Sequence, residues 1–219
     1  MIINTENNIQ FVKENGYIKL PSILTNEEIV DLEKNCIKLL NESPEQYIHT
    51  ETDFVKVISI NQVSVQDNEA FGFLNKFFKN QELIEFVKKY FETDEINISK
   101  IFVQESSNTG EEVDVLPYKM HFDKTRYLKF MFYIRDVGPG DGAITFAKKE
   151  WNNELQKELL KKQALKEENV VEINDESQIE ELQGPAGTLV VFDTNVSHKA
   201  GQVLTDNKRL IIRVDTTTI

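Results

Sequence analysis

The chain has little of several things that narrow its function. Among 219 residues there is one cysteine, Cys36, which excludes an intrachain disulfide framework and any all-cysteine metal cluster. A lone thiol fits a reducing compartment, and the cytoplasm is expected. No stretch approaches the roughly 20 apolar residues that a membrane span requires. The N-terminus MIINTENNIQFVKENGY lacks the basic region and apolar stretch of a secretory signal. No group of lysines or arginines stands free of acids, and the formal net charge is -12, so neither nucleic acid nor an anionic membrane is an expected partner. A small acidic ligand is still allowed, because a pocket is decided by a few side chains and not by the total. With only 9 glycines and 5 prolines against 40% hydrophobic residues, the chain is not a disordered or low-complexity one. Its length suits a single domain spanning 1–219 and leaves the oligomeric state open.

What is present divides at about residue 95. Before it, LTNEEIVDLEKNCIKLLNES places Thr25 three residues ahead of Glu28, a capping box, and sets Ile29, Leu32, Cys36, Leu39 and Leu40 near one face. This predicts a helix over 25–40. A second helical region covers 70–91, divisible around Lys79 to Gln81, and DFVKVISINQVSV between the two reads as extended. After residue 95, EINISKIFVQES, RYLKFMFYIRDV, DGAITFAKK, GTLVVFDTN and KRLIIRVDTTT are short runs of branched and aromatic residues separated by turn formers. They predict a mainly β fold, a sandwich or jelly roll with its core at about 96–216 and helical support from 1–95. The charged segment KKEWNNELQKELLKKQALKEENV predicts a helical insertion at about 148–168, followed by a short edge strand from Val170 to Ile173.

Only three histidines exist. In an extended segment, alternation turns His121 and Asp123 to one side and Phe122 to the other. Two ligands are too few for a catalytic ion, and His198, where GTLVVFDTN gives way to a polar turn, is the natural third. Two histidines and a carboxylate form a facial triad with open positions that suit non-haem Fe(II), with zinc as the competing metal. The plain alternatives are that Asp123 only orients His121, or that both are surface loop residues. Arg209 stands eleven residues after His198 and opens the last strand. If the two lie on adjacent antiparallel strands, its planar guanidinium can reach the same cavity and fork a carboxylate. The alternative is a solvated strand-end arginine beside Lys208. His49, in a polar stretch without a companion ligand, reads as ordinary surface.

The ordered set His121, Asp123, His198 and Arg209, with YLKFMFYIRDVGPGDGAITF after the first two, resembles the Fe(II)- and 2-oxoglutarate-dependent dioxygenases, and among them the phytanoyl-CoA dioxygenase-like branch. Tyr133 to Asp136 matches that branch's Y-x-x-D before a glycine turn, and Gly187 to Phe192 its G-x-L-x-x-F strand; the likeness covers roughly 100–216. It implies a double-stranded β-helix, the cupin-like jelly roll, with Fe(II) held by His121, Asp123 and His198. It also implies 2-oxoglutarate held through Arg209, and a small-molecule substrate hydroxylated by molecular oxygen with release of succinate and carbon dioxide. Asp123 favours hydroxylation over the related halogenases, in which a small residue takes that position.

The sequence also departs from the family. TFAKKEW replaces the usual proline, glycine, serine, histidine run, and Ala200 stands where relatives often place a hydroxyl that assists the arginine. Another donor must therefore help hold the cosubstrate. Lys129 and Tyr133, which share one face of YLKFMFYI, and Gln104, polar within IFVQES, are the candidates. Tyr118 and Trp151 are candidates for the border of the substrate pocket. Two other readings stay open: a jelly-roll binding protein without turnover, and a zinc hydrolase using Glu111 or Glu112 as base.

Overall fold

Local chemistry sets the helices on the N-terminal side. Helix α1 (Glu6–Asn15) begins at Thr5, whose side chain accepts from the Asn8 N–H, and ends at Gly16 in the left-handed region at φ +85°. No other residue suits Gly16, because a Cβ there would lie 1.9 Å from Val196. Strand β1 (Tyr17–Leu20) follows directly. Helix α2 (Asn26–Glu42) starts with both hydrogen bonds of the Thr25–Glu28 capping box and buries Leu32, Cys36, Leu39 and Leu40. The second helical region is divided where the sequence suggests. A 3₁₀ turn (Glu69–Leu74) leads into α3 (Asn75–Phe78), and the Asn80 side chain, accepting from Leu83 N–H, caps α4 (Gln81–Phe91).

The computed structural model describes residues 3–43, 48–61, 69–111, 113–152, 155, 157, 169–173 and 175–219, with residues 48–52 described for the backbone alone. The remaining strands are β2 (Ile48–Thr52), β3 (Val55–Ile60), β4 (Ile96–Ser106), β5 (Leu128–Tyr133), β6 (Thr145–Ala147), β7 (Ile179–Glu181), β8 (Leu189–Asp193), β9 (His198–Lys199) and β10 (Arg209–Thr218). They form a seven-stranded sheet in the order β1-β8-β5-β10-β4-β3-β2 and a three-stranded sheet in the order β7-β6-β9. The pairings are antiparallel. Two facing sheets with flanking helices make the cupin-like jelly roll.

Alternation along the central strands decides what each face does. Leu128, Phe130 and Phe132 of β5 and Leu210, Ile212 and Val214 of β10 pack with Leu32, Phe77 and Phe86 of the helices. Burying each such side chain stabilises the fold by about 1.5–3 kcal/mol, and Phe86 meets Phe130 edge-on at 5.6 Å. The other face of the same strands presents Met131, Tyr133, Val190, Phe192 and Ile211 to the smaller sheet. The functional side chains lie on this inner face.

Three differences from the sequence reading have physical reasons. Residues 170–173 form no strand: Val170 makes a single bridge to His121, so the expected edge strand is one pairing long. Helix α1 and strand β1 carry no clear signal in the sequence, since α1 buries only Ile9 and Val12 and has little apolar periodicity. Residues 149–152 are helical, and most of the predicted 148–168 insertion lies outside the described residues. Among the described residues no helix is long and apolar enough to cross a membrane.

Candidate metal centre and cosubstrate cavity

His121 and His198 are backbone partners. Each N–H donates to the other's carbonyl, at 3.0 and 2.9 Å, so an antiparallel bridge extends the smaller sheet beyond β9 and sets the imidazoles 4.6 Å apart. In both rings Nδ1 is tied to a main-chain carbonyl, Lys119 O at 2.7 Å for His121 and Val196 O at 2.8 Å for His198. A carbonyl can only accept, so Nδ1 carries the proton and Nε2 offers its lone pair. Asp123 Oδ1 lies 3.6 Å from His121 Nε2 and 3.7 Å from His198 Nε2. The three ligand atoms fall within 4.8 Å of one another, close enough for one ion to bind all three. Phe122 turns away, as alternation requires, and packs with Met120, Ala147 and Val171.

Electrostatics prepare the same three groups. Burial pushes His198 down from 6.5 to about 3, with Lys129 and His121 adding to the effect, so the ring is neutral and able to ligate at ordinary pH. Burial alone would raise the Asp123 carboxyl. The charge and hydrogen bond of Lys129 outweigh it and hold the group well below the usual carboxylate range. Lys129, on β5, is 7% exposed and places Nζ 2.5 Å from Asp123 Oδ2. Burial and the neighbouring Arg213 lower its own pKa, while Asp215 and Asp123 oppose them.

The state of His198 predicts a pH dependence in the metal-free protein. An unfolded histidine titrates near pH 6.5. Below that value the unfolded chain binds a proton that folded His198, at about 3, does not accept. Stability is therefore full above the unfolded pKa and falls as pH drops towards the folded one. The melting temperature is expected to decline from about pH 7 to about pH 5, and to decline less in His198→Gln. An equal slope in the variant would show that His198 is not the source.

Arg209 stands at the other end of this cavity. It opens β10, is 2% exposed, donates Nη1 to Gly142 O and sets Nη2 3.2 Å from Ser106 Oγ, while its buried Nε has no partner. Among the described residues no carboxylate forms an ion pair with it. Burial lowers its pKa, but a guanidinium stays charged at any ordinary pH. Gly142, at φ +81°, gives it room, since a Cβ there would come within 2.9 Å of Gly201 O and 3.3 Å of Arg209 Nη1. A buried cation without a counter-ion is costly to keep. The site therefore calls for an anion in the cavity.

The cavity measures about 570 Å³, in the range of small-molecule sites, and contains His121, Asp123, His198 and Arg209 in its walls. Lys129, Gln104, Tyr118 and Ala200 line it too. Tyr133 does not. It shares the inner face, but its hydroxyl donates to Leu182 O at 2.8 Å and accepts from Ile144 N–H, so it is consumed in the core. Trp151, 40% exposed, is not in the lining either, and the expectation that it borders the pocket is corrected. Of the two bases the zinc-hydrolase reading offers, Glu111 is exposed and absent from the walls, and Glu112 lies outside the described residues. The His49 side chain lies outside the described residues as well. Sequence reasoning missed Ser106, which faces Arg209 in register from β4 and accepts from Gln104 Nε2 at 3.0 Å. Its hydroxyl lies 3.2 Å from Arg209 Nη2, on a cavity where Ala200 offers none.

No curated protein matches the chain in sequence. Solved structures show the same fold. EctD from S. alaskensis, with 2-oxoglutarate and 5-hydroxyectoine, superposes at TM-score 0.71 and 15% identity over 100% of this chain and 77% of its own. SnoN, the non-heme α-ketoglutarate-dependent epimerase from nogalamycin biosynthesis, gives 0.69 at 13% identity over 97% and 82%. HygX from Streptomyces hygroscopicus, with nickel and 2-oxoglutarate bound, gives 0.66 at 13% over 98% and 87%. The family model for phytanoyl-CoA dioxygenase (PhyH) matches residues 12–211, from within α1 into β10, and takes in His121, Asp123, His198 and Arg209. The chain therefore belongs to the phytanoyl-CoA dioxygenase family and is an Fe(II)- and 2-oxoglutarate-dependent oxygenase.

Proposed function

We propose that His121, Asp123 and His198 hold the Fe(II), that Arg209 receives the distal carboxylate of 2-oxoglutarate, and that the chain hydroxylates a small molecule. The observation that carries this reading is Arg209 itself, a buried cation with no ion-pair partner among the described residues, sharing one cavity with a two-histidine, one-carboxylate cluster. An open-sided metal site explains the cluster, and a dianionic cosubstrate explains the arginine. When bound, Fe(II) and 2-oxoglutarate supply the oxygen chemistry, with 2-oxoglutarate oxidised to succinate and carbon dioxide.

The chain's own residues orient and shield. The carbonyls of Lys119 and Val196 fix which nitrogen of each histidine faces the metal. Lys129 occupies Asp123 Oδ2, so only Oδ1 is directed at the histidine pair. A one-oxygen carboxylate leaves more of the metal's positions open than a two-oxygen one. Gly142 O and Ser106 Oγ hold the Arg209 guanidinium in place, with Gln104 behind Ser106. Met131, Ile144, Phe192 and Ile211 make an apolar wall that limits water around the reacting groups.

Losing an outer-shell partner of a metal ligand typically costs ten- to a hundredfold in metal affinity or activity. Lys129→Met is expected to weaken Fe(II) or Mn(II) binding within that range, with Lys129→Arg recovering part of it, as titration calorimetry under anaerobic conditions would read. The reading as a whole is tested by supplying Fe(II), ascorbate and 2-oxoglutarate and measuring succinate against oxygen consumed. Equal amounts support it, and oxygen uptake that ignores 2-oxoglutarate argues against it. We take residues 1–219 as one working unit, with the N-terminal helices supporting the larger sheet. A cytoplasmic setting suits the buried free thiol of Cys36, and the net charge of -12 disfavours nucleic acid as a partner.

A further inference from the structure

The cavity carries more positive charge than the metal and cosubstrate require. Alternation along β10 brings residues 209, 211 and 213 to the same inner face, so Arg213 lines the cavity roughly 13 Å along the strand from Arg209. Its guanidinium sits 4.1 Å from the Phe102 ring centre. Nε and Nη2 reach the two oxygens of Asp215 at 2.8 and 3.1 Å, and Nη1 has no protein partner among the described residues. The side chain keeps 22% of its exposure. Lys129, which faces Asp215 across β5 and β10, is already committed to Asp123.

These groups do not balance. Arg209, Arg213 and Lys129 stand against Asp123 and Asp215, and a divalent metal with a dianionic cosubstrate adds nothing to the difference. One positive charge stays unmatched in a chain whose net charge is -12. The same wall continues into Val55 and Val57, and at the mouth into Val115 and Leu116, which are 49% and 53% exposed. Apolar side chains left this open beside a charged anchor suit a ligand that has both features.

We propose that Arg213 binds the anionic group of the substrate, and that the substrate is a small organic monocarboxylate with an apolar remainder. This rests on the oxygenase reading and specifies its substrate class. Nη1 is the donor available to the incoming acid. Asp215 braces the guanidinium with both of its oxygens and is buried behind it, so the face turned to the cavity is the guanidinium, and Phe102 fixes the plane. An acid is therefore the class that this wall recognises.

The test uses the full chain loaded with Mn(II) and 2-oxoglutarate without oxygen, and compares hexanoate and octanoate with hexanamide and octanamide by calorimetry. The acids are expected to bind about tenfold or more tightly than their amides, the worth of one charge-assisted hydrogen bond. Arg213→Gln should remove that preference while leaving Mn(II) and 2-oxoglutarate affinity unchanged, and Arg213→Lys should keep part of it. Should Arg213→Gln fold poorly because Asp215 is left unpaired, the double variant Arg213→Gln/Asp215→Asn removes both charges and is expected to lose the preference as well. Equal affinity for acid and amide in the wild type overturns the proposal, as does a preference that survives the substitutions. It is also overturned if Arg213→Gln weakens 2-oxoglutarate, since that assigns Arg213 to the cosubstrate. A failure of the oxygenase reading looks different: the wild-type chain would not bind 2-oxoglutarate at all.

Discussion

Asp123→Ala is expected to lower 2-oxoglutarate-dependent oxygen uptake by on the order of a thousandfold, beyond the ten- to hundredfold cost of losing an outer-shell partner. His121→Ala is expected to do the same. The proposed metal site has three protein donors, and removing one leaves two, which hold a divalent ion more weakly unless another ligand replaces the lost one. The two substitutions should differ in stability. Asp123→Ala takes the contact partner from Lys129, a side chain 7% exposed, and leaves a buried ammonium with only the more distant Asp215 for compensation. His121→Ala leaves the Lys129–Asp123 pair intact. Oxygen-electrode rates, metal content after anaerobic dialysis and melting temperature together separate loss of metal from loss of fold. Wild-type uptake in either variant would remove that residue from the metal site.

Arg209→Met should produce the second large effect, with two opposite signs. Truncating one member of a buried charge pair commonly costs about 2–5 kcal/mol of binding, so the KM for 2-oxoglutarate is expected to rise roughly a hundredfold. The turnover number at saturating cosubstrate should change much less, because the distal carboxylate is bound alike before and during reaction. The metal-free protein is expected to become as stable as wild type or more so. In it Arg209 is a buried cation whose Nε has no partner, and methionine fills the space without that cost. A gain in melting temperature with a loss of cosubstrate affinity is the sign of a residue kept for function.

The four residues at the centre of this account were legible in the sequence because each rests on a short-range rule. Alternation gave His121 and Asp123 a common side and placed Phe122 opposite, where it packs with Met120 and Val171. His198 and Arg209 share the cavity, but not as the adjacent antiparallel pair that their spacing suggests: His198 opens β9 in the smaller sheet and Arg209 opens β10 in the larger one, so they meet across facing sheets. Alternation failed where depth mattered. Tyr133 shares the inner face but is absent from the cavity walls, its hydroxyl tied to Leu182 and Ile144, and no period of two reports how far along a strand a cavity extends. The expected edge strand is reduced to the single pairing of Val170 with His121, since three branched residues around Glu172 do not announce how many partners they will find.

Other features were out of reach for a different reason. Lys129 reaches Asp123 across a loop whose path the sequence does not encode in any simple pattern, so its role as a brace could not be distinguished from a lysine in water. Ser106 depended on the register between β4 and β10, a long-range quantity. Arg213 was within reach. In RLIIRVD the same period of two that matters for Arg209 also brings 213 to the inner face, and an arginine between isoleucine and valine is a polar residue in need of a partner.

On the proposed reading, Arg209 keeps its buried charge for a carboxylate of the cosubstrate beside the metal ligands. The most direct measurement compares 2-oxoglutarate with 2-oxovalerate, which keeps the 2-oxo acid group and lacks the distal carboxylate. Binding of each to the Mn(II)-loaded protein is read by calorimetry in wild type and in Arg209→Met. Wild type is expected to prefer 2-oxoglutarate by roughly a hundredfold, and the variant to show almost no preference. An undiminished preference in Arg209→Met would contradict that reading, because the distal carboxylate would then be held somewhere else.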